Sequence, residues 1–214
     1  MKHSHLLTEL EAYAALQHVP IIQQAGSQVL LDAVRQKQPL RVLEIGTAIG
    51  YSTLLIAQEM AAGGTITTID IDADRQAKAR DVIGQANLAV TVEFVYGDAL
   101  PLIEKLTGPF DFVFIDAAKG HYVHYLQALL TGKLAADALI VADNVLFRGY
   151  VMGQEAPPRR FRTIVKRLKA YLELVSNPEL FTTEIFPDGD GLAVSRFLGS
   201  GTGLGSERKG DTHE

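Results

Sequence analysis

"VLEIGTAIGYS" (42–52) is a strand that runs into a helix through a glycine-bearing turn, and its reading decides the fold. Glycines at such a turn let the backbone approach a ligand closely and take positive φ. The helix N-terminus beyond offers free N–H groups to an anionic group. In an open α/β sheet, ligands bind at the carboxyl ends of the strands near the topological switch point, which the first strand borders. A dinucleotide fingerprint requires G-x-G-x-x-G, and here Ala48 and Tyr51 stand where the second and third glycines belong. The pattern present is E-x-G-x-x-x-G, formed by Glu44, Gly46 and Gly50.

Outward from this turn, short apolar strands alternate with amphipathic helices. Strands are expected at 40–45, 65–70, 90–95, 110–115 and 138–143, and helices at about 50–62, 73–86, 98–106 and 119–132. Repeated strand-helix-strand units predict an α/β fold with a mostly parallel sheet and helices on both faces. Two helices, at about 3–17 and 20–36, precede the first strand. After a basic helix at about 158–176, "LFTTEIF" and "LAVSRF" flank a "PDGDG" turn, which predicts an antiparallel hairpin at one sheet edge. No linker divides the chain, so residues 1–198 are expected to form a single domain. The Gly/Ser-rich tail 199–214 is expected to be disordered.

The 214-residue chain has no cysteine, which excludes disulfides, thiolate zinc sites and cysteine nucleophiles. No apolar window approaches a membrane span, and Glu9 and Glu11 interrupt any signal-peptide core, pointing to the cytoplasm. The net charge of −5 argues against a uniformly nucleic-acid-binding surface. Yet seven basic residues (Arg148, Arg159, Arg160, Arg162, Lys166, Arg167 and Lys169) lie in one stretch opposed only by Glu155. Such a stretch is either a solvated face or a docking surface for a polyanion.

Two neighbouring strands end in hard oxygen donors. "FVFIDAAKGHY" (112–122) carries Asp116 with Lys119 three residues on, and "ALIVADNVLFRGY" (138–150) carries Asp143 and Asn144. Adjacent strands lie about 4.8 Å apart, so their ends can share one ion. Oxygen donors alone select Mg²⁺, with Mn²⁺ or Ca²⁺ as alternatives, over zinc. Consecutive strand residues point to opposite faces, so Asp143 and Asn144 reach one ion only where the strand is already turning. Taken singly, Asp116 reads as an ordinary helix N-cap and the Asp-Asn pair as a turn starter. His121 and His124 lack a third ligand and take no role. Asp70 and Asp98 end the second and third strands, placed for ribose hydroxyls and for an adenine respectively.

The E-x-G-x-x-x-G-Y-S loop, "DAAKG" and "ADN", in this order and spacing, resemble the metal- and S-adenosylmethionine-dependent O-methyltransferases that include catechol and caffeoyl-CoA O-methyltransferases. The resemblance runs from about residue 18 to residue 197. It implies a Rossmann-like class I methyltransferase fold with a seven-stranded sheet. It also implies that Glu44, Gly46, Thr47 and Ser52 contact the methionine portion of S-adenosylmethionine and that Asp70 holds the ribose. Asp98 and Ala99 would flank the adenine, Asp116 would border the cofactor, and Val19 would cover the site. Asp116, Asp143 and Asn144 would hold the metal, and Lys119 would take the acceptor's proton. Relatives imply a homodimer.

For the acceptor, chelation requires two vicinal oxygens, as in a catechol, a caffeoyl group or a 5-hydroxyuridine. The chain looks most similar to the bacterial branch that methylates 5-hydroxyuridine at the tRNA wobble position. Arg148, Arg159, Arg160, Arg162 and Lys166 would then grip RNA. A small catechol-like or CoA-linked phenol is the alternative acceptor. A binding module without turnover would have no need of a lysine base beside a metal.

Overall fold

A computed structural model describes residues 3–199 except Gln154, so the tail expected to be disordered lies almost wholly outside the described residues. Seven strands form one sheet: β1 (Arg41–Ile45), β2 (Thr65–Asp70), β3 (Thr91–Tyr96), β4 (Phe110–Ile115), β5 (Leu134–Asp143), β6 (Phe181–Phe186) and β7 (Leu192–Phe197). Their order is β3-β2-β1-β4-β5-β7-β6, with β7 antiparallel to both neighbours and the remaining pairings parallel. The hairpin expected at the edge is therefore present, but it folds inward: β7 pairs with β5 and leaves β6 outermost.

The helices are α1 (Ser4–Gln17), α2 (Gln24–Lys37), α3 (Tyr51–Glu59), α4 (Ala73–Gln85), α5 (Ala99–Lys105), α6 (Tyr122–Leu130) and α7 (Arg162–Val175). Strand side chains alternate between two helix layers. Val42, Phe112, Phe114, Leu139 and Val141 pack with α1 to α4, whereas Leu43, Ile45, Val113, Ile115 and Ile140 pack with α5 to α7. Burial on both faces accounts for the unbroken apolar runs of the central strands.

Several boundaries differ from the sequence expectation: α2 starts at Gln24 rather than about 20, and α3 ends at Glu59 rather than about 62. β5 begins at Leu134, four residues early, because Leu134 pairs with Phe110 across a bulge after which Phe112 pairs with Leu139. Within that bulge Asp137 takes φ 62° and accepts from Arg196 at 2.6 Å, a polar device that hides the strand's start. The helix expected at 119–132 opens with a separate 3₁₀ turn, Lys119–His121, and the basic helix opens with another, Arg159–Phe161.

Candidate active site

The carboxyl ends of β1, β2, β4 and β5 open onto a cavity of about 640 Å³, inside the roughly 300–1,000 Å³ range of small-molecule sites. One half is built around the glycine turn. Gly46 has φ +107°, and a Cβ there would lie 2.0 Å from the carbonyl oxygen of Asp116, so only glycine lets β1 and β4 end side by side. Gly50 (φ +86°) stands against Ala79 in the same way and starts α3. Asp70 lines the cavity, while its carboxylate accepts from the backbone N–H groups of Ala48 at 2.6 Å and Asp72 at 2.8 Å. It thereby ties the glycine turn to the next loop and keeps free lone pairs for a ligand. Asp98 caps α5 through Leu100 N–H and, with Ala99, forms the neighbouring wall.

Glu44, Thr47 and Ser52 do not line this wall. Glu44 is fully buried, and its carboxylate accepts from the hydroxyls of Ser52 (2.6 Å), Thr53 (2.5 Å) and Thr68 (2.6 Å), with Thr47 hydrogen-bonded to Thr68. Burial pushes its carboxyl up to about 7 against the opposing pull of the three hydroxyls. The cluster is a keystone beneath the turn rather than a surface facing the ligand. Val19 packs into the core of the first helix layer, and the residues just after it, Pro20, Ile21 and Gln23, line the cavity instead.

The other half gathers Asp116, Lys119, Asp143, Asn144, Phe147, Arg148 and Asp190. The strand turns where chelation requires it to turn: β5 ends at Asp143, and Asn144 takes φ 56°, so both residues face one cavity. Asp143 is 6% exposed, and among the described residues only the N–H of its neighbour Asn144, at 2.7 Å, is hydrogen-bonded to its carboxylate. Burial, then the charges of Asp116 and Asp190, push its carboxyl up to about 7, with Asn144 N–H and Lys119 pulling the other way. Burial also raises Asp116, against the attraction of Lys119. Lys119 Nζ stands 3.7 Å from Asp116 Oδ1, an ion pair too long to be a hydrogen bond. Behind the carboxylates, the buried Tyr122 hydroxyl donates to the Asp143 carbonyl at 3.0 Å.

Among the described residues no three His, Cys, Asp or Glu side chains form a metal-binding group. The candidate ligands are two carboxylates and one amide. Their hard oxygens, with two carboxylates facing the single cation of Lys119, fit a divalent cation such as Mg²⁺. His121 is exposed at the cavity edge beside His124, with no third ligand.

Several cavity residues carried no sequence signal of their own. Asp190 reads as part of a "PDGDG" turn, yet its carbonyl accepts from Leu146 and Phe147 and its carboxylate from Arg148 N–H. It thus holds a loop in which Asn144, Phe147 and Arg148 all have positive φ. Phe147, Tyr150 and Phe161 form an aromatic cluster at the rim, and Arg148 and Arg160 both lie over the Phe161 ring, at 5.6 and 4.6 Å. Arg159, Arg162 and Lys166 are exposed; Arg162 and Lys166 join Lys169 along a separate groove on α7. Tyr125 and Ile71 also line the cavity, with Asp98 and Ala99.

A family model described as "O-methyltransferase" matches residues 2–197. Caffeoyl-CoA O-methyltransferase 3 of Nicotiana tabacum is 33% identical over 179 residues, 78% of this chain and 71% of the relative. Catechol O-methyltransferase of Niastella koreensis is 39% identical over 124 residues, 56% of this chain and 55% of the relative. Among solved structures, an O-methyltransferase from Streptomyces achromogenes involved in tomaymycin synthesis, in complex with SAM, superposes with TM-score 0.81 at 26% identity, covering 92% of each chain. The O-methyltransferase from Bacillus cereus in complex with SAH has TM-score 0.77 at 26% identity and the same coverage.

Proposed function

This chain belongs to the O-methyltransferase family, an S-adenosylmethionine-dependent enzyme by that membership, and we propose that it methylates one of two vicinal oxygens on a small phenolic acceptor of catechol or caffeoyl type. One observation carries this reading: Asp116, Lys119, Asp143 and Asn144 line the same cavity as the glycine turn, with Gly46 against the Asp116 carbonyl. Relatives named for catechol and caffeoyl-CoA support the acceptor class.

In this reading Asp70 receives the ribose hydroxyls, Asp98 and Ala99 flank the adenine, and Gly46 leaves room for the methionine portion. Asp116, Asp143 and Asn144 would hold a divalent cation, whose chemistry is to lower the pKa of an acceptor hydroxyl and fix its direction. Lys119 is the group placed to take the hydroxyl proton on Nζ. The oxygen lone pair forms the O–CH₃ bond as the C–S bond of the sulfonium breaks, leaving S-adenosylhomocysteine. Phe147 at the rim stacks on a flat aromatic acceptor, and the apolar wall keeps competing water away from the sulfonium. The same reading takes residues 1–198 as one catalytic domain working as a homodimer.

A second reading has its own observation. Among the described residues no ion pair engages Arg159, Arg160, Arg162, Lys166 or Lys169, so α7 and the turn before it present exposed positive charge. That favours an acceptor carried on a polyanion, a 5-hydroxyuridine in the tRNA wobble position.

Label transfer from S-adenosylmethionine, with Mg²⁺ or with EDTA, to a catechol panel and to tRNA bearing 5-hydroxyuridine separates the two. Metal-dependent label in catechols, unchanged within about twofold in Arg159→Ala/Arg160→Ala, is the expected result, since distant surface charges add little to a small ligand's binding. Label confined to tRNA and reduced in the double variant moves the assignment to the wobble base. Label that survives EDTA removes the metal from either reading.

A further inference from the structure

α7 is read from sequence as one basic face, but its cations divide into two sets. Arg162, Lys166 and Lys169 point along the outer groove, whereas Val165, Leu168, Tyr171 and Val175 are buried against the sheet. Arg167 joins neither set. It is half-buried, and its Nη1 donates at 3.0 Å to the carbonyl oxygen of Gly120, a residue 47 positions earlier.

Gly120 is the middle residue of the 3₁₀ turn Lys119–His121. A turn of three residues has little stability of its own. Within the loop His121 N–H donates to Ala118 O, and among the described residues no side chain caps the turn. Arg167 therefore supplies the tie from outside. The absence of a Gly120 side chain makes room for that tie, since a Cβ would come 3.3 Å from Arg167 Nη1. A guanidinium suits the task because it is always charged, and a charge-assisted bond to a carbonyl is stronger than a neutral one.

What this turn carries is Lys119. Its ammonium is not fixed by a hydrogen bond to Asp116, the separation being 3.7 Å. The location of Nζ thus depends on the backbone that bears it, a backbone packed against α7 and hydrogen-bonded directly by the Arg167 guanidinium. We propose that Arg167 is a positioning residue for Lys119, holding the turn so that Nζ stays within reach of the acceptor hydroxyl. The inference rests on Lys119 being the proton acceptor; it assigns Arg167 no contact with either substrate.

The test uses the full chain with Mg²⁺, S-adenosylmethionine and whichever acceptor takes label. Arg167→Gln, Arg167→Lys, Gly120→Ala and Lys119→Met are compared for kcat, both KM values, S-adenosylmethionine affinity by calorimetry, and thermal unfolding. Misplacing a catalytic group by about 1 Å can cost roughly 10²-fold. Arg167→Gln should lower kcat between about tenfold and 10²-fold with both KM values, cofactor affinity and melting temperature nearly unchanged. Arg167→Lys, which keeps a cationic donor, should recover most of the loss. Gly120→Ala crowds the guanidinium from the other side and should give a smaller fall of the same kind. A kcat within about twofold in Arg167→Gln while Lys119→Met is inactive overturns the positioning role and leaves the base assignment standing. Full activity in Lys119→Met overturns the base assignment itself. Parallel losses of cofactor affinity and melting temperature in both Arg167 variants make the tie merely structural and overturn the inference.

Discussion

The two halves of the cavity bury negative charge in opposite ways. Beneath the glycine turn, Glu44 is fully enclosed but receives three hydroxyl donors, so its charge is absorbed into the scaffold. Across the switch point, Asp143 is nearly as buried, faces Asp116 and Asp190, and among the described residues receives one backbone N–H. Buried polar groups in folded proteins are ordinarily satisfied. Where they are, as around Glu44, they are architecture; where two carboxylates face each other with Lys119 beside only one of them, as at Asp116 and Asp143, the proposed cation would offset the repulsion. The contrast separates a satisfied scaffold from a pair of facing carboxylates that the proposed cation would complete.

Asp143→Ala probes this contrast hardest. Methyl transfer in the presence of Mg²⁺ should fall by roughly 10³-fold or more, as expected when a metal's charge stabilisation is lost. Stability without metal should nevertheless hold or rise, because the substitution removes a carboxylate that Asp116 repels. Urea unfolding in EDTA checks the second half. A loss of several kcal/mol there would mean Asp143 is as structural as Glu44, and the contrast would collapse.

Gly46→Ala acts at the boundary between the halves. Its Cβ would collide with the Asp116 carbonyl oxygen at 2.0 Å while demanding φ +107° of an alanine. Strain of this kind costs on the order of 3 kcal/mol, and relief requires the ends of β1 and β4 to part. Cofactor affinity and transfer should therefore fall together, by about 10²-fold each, with a lower melting temperature. Calorimetric titration with S-adenosylhomocysteine measures the first. Cofactor binding near the wild-type level would show that the turn tolerates rearrangement and that the cradle is not preformed.

How much of this was legible in the sequence follows the same division. Strand ends are marked by residue chemistry: Asp70, Asp116 and Asp143 stop their strands within the expected boundaries, and "ADN" foretells that Asp143 and Asn144 share a cavity. Gly46 is legible because only one residue type serves there. Burial is less legible. Nothing local distinguishes Glu44 facing a ligand from Glu44 facing Ser52, Thr53 and Thr68, since the three hydroxyls come from two elements folded onto it. Asp190 reads as turn chemistry because its partners, Leu146 to Arg148, lie more than 40 residues away. Arg167 reads as one cation among seven, and its carbonyl partner is set by how α7 docks. The substitution of Pro20, Ile21 and Gln23 for Val19 on the wall is a shift of one to four residues in a segment without periodicity.

The smallest expected effect tests the absorbed charge. Glu44 has its folded pKa raised from 4.5 to about 7 because burial outweighs the three hydroxyl donors. The folded protein thus holds this proton more tightly than the unfolded chain does. The corresponding stability is fully present below about pH 4.5 and is lost as pH rises through about 7. Over that window one such group gives a slope of at most about −1.4 kcal/mol per pH unit. Asp143, also raised to about 7, adds a slope of the same sign. Urea unfolding of the metal-free protein between pH 5 and 8 should therefore show stability declining with pH. Glu44→Gln should flatten the decline by up to one proton's worth, at a lower starting stability because an amide N–H₂ must face a hydroxyl donor. Asp143→Ala should flatten it similarly but without that lower start. If Glu44→Gln leaves the slope unchanged, the three hydroxyls hold Glu44 ionised throughout the range, and the cradle's charge is compensated even more fully than its burial suggests.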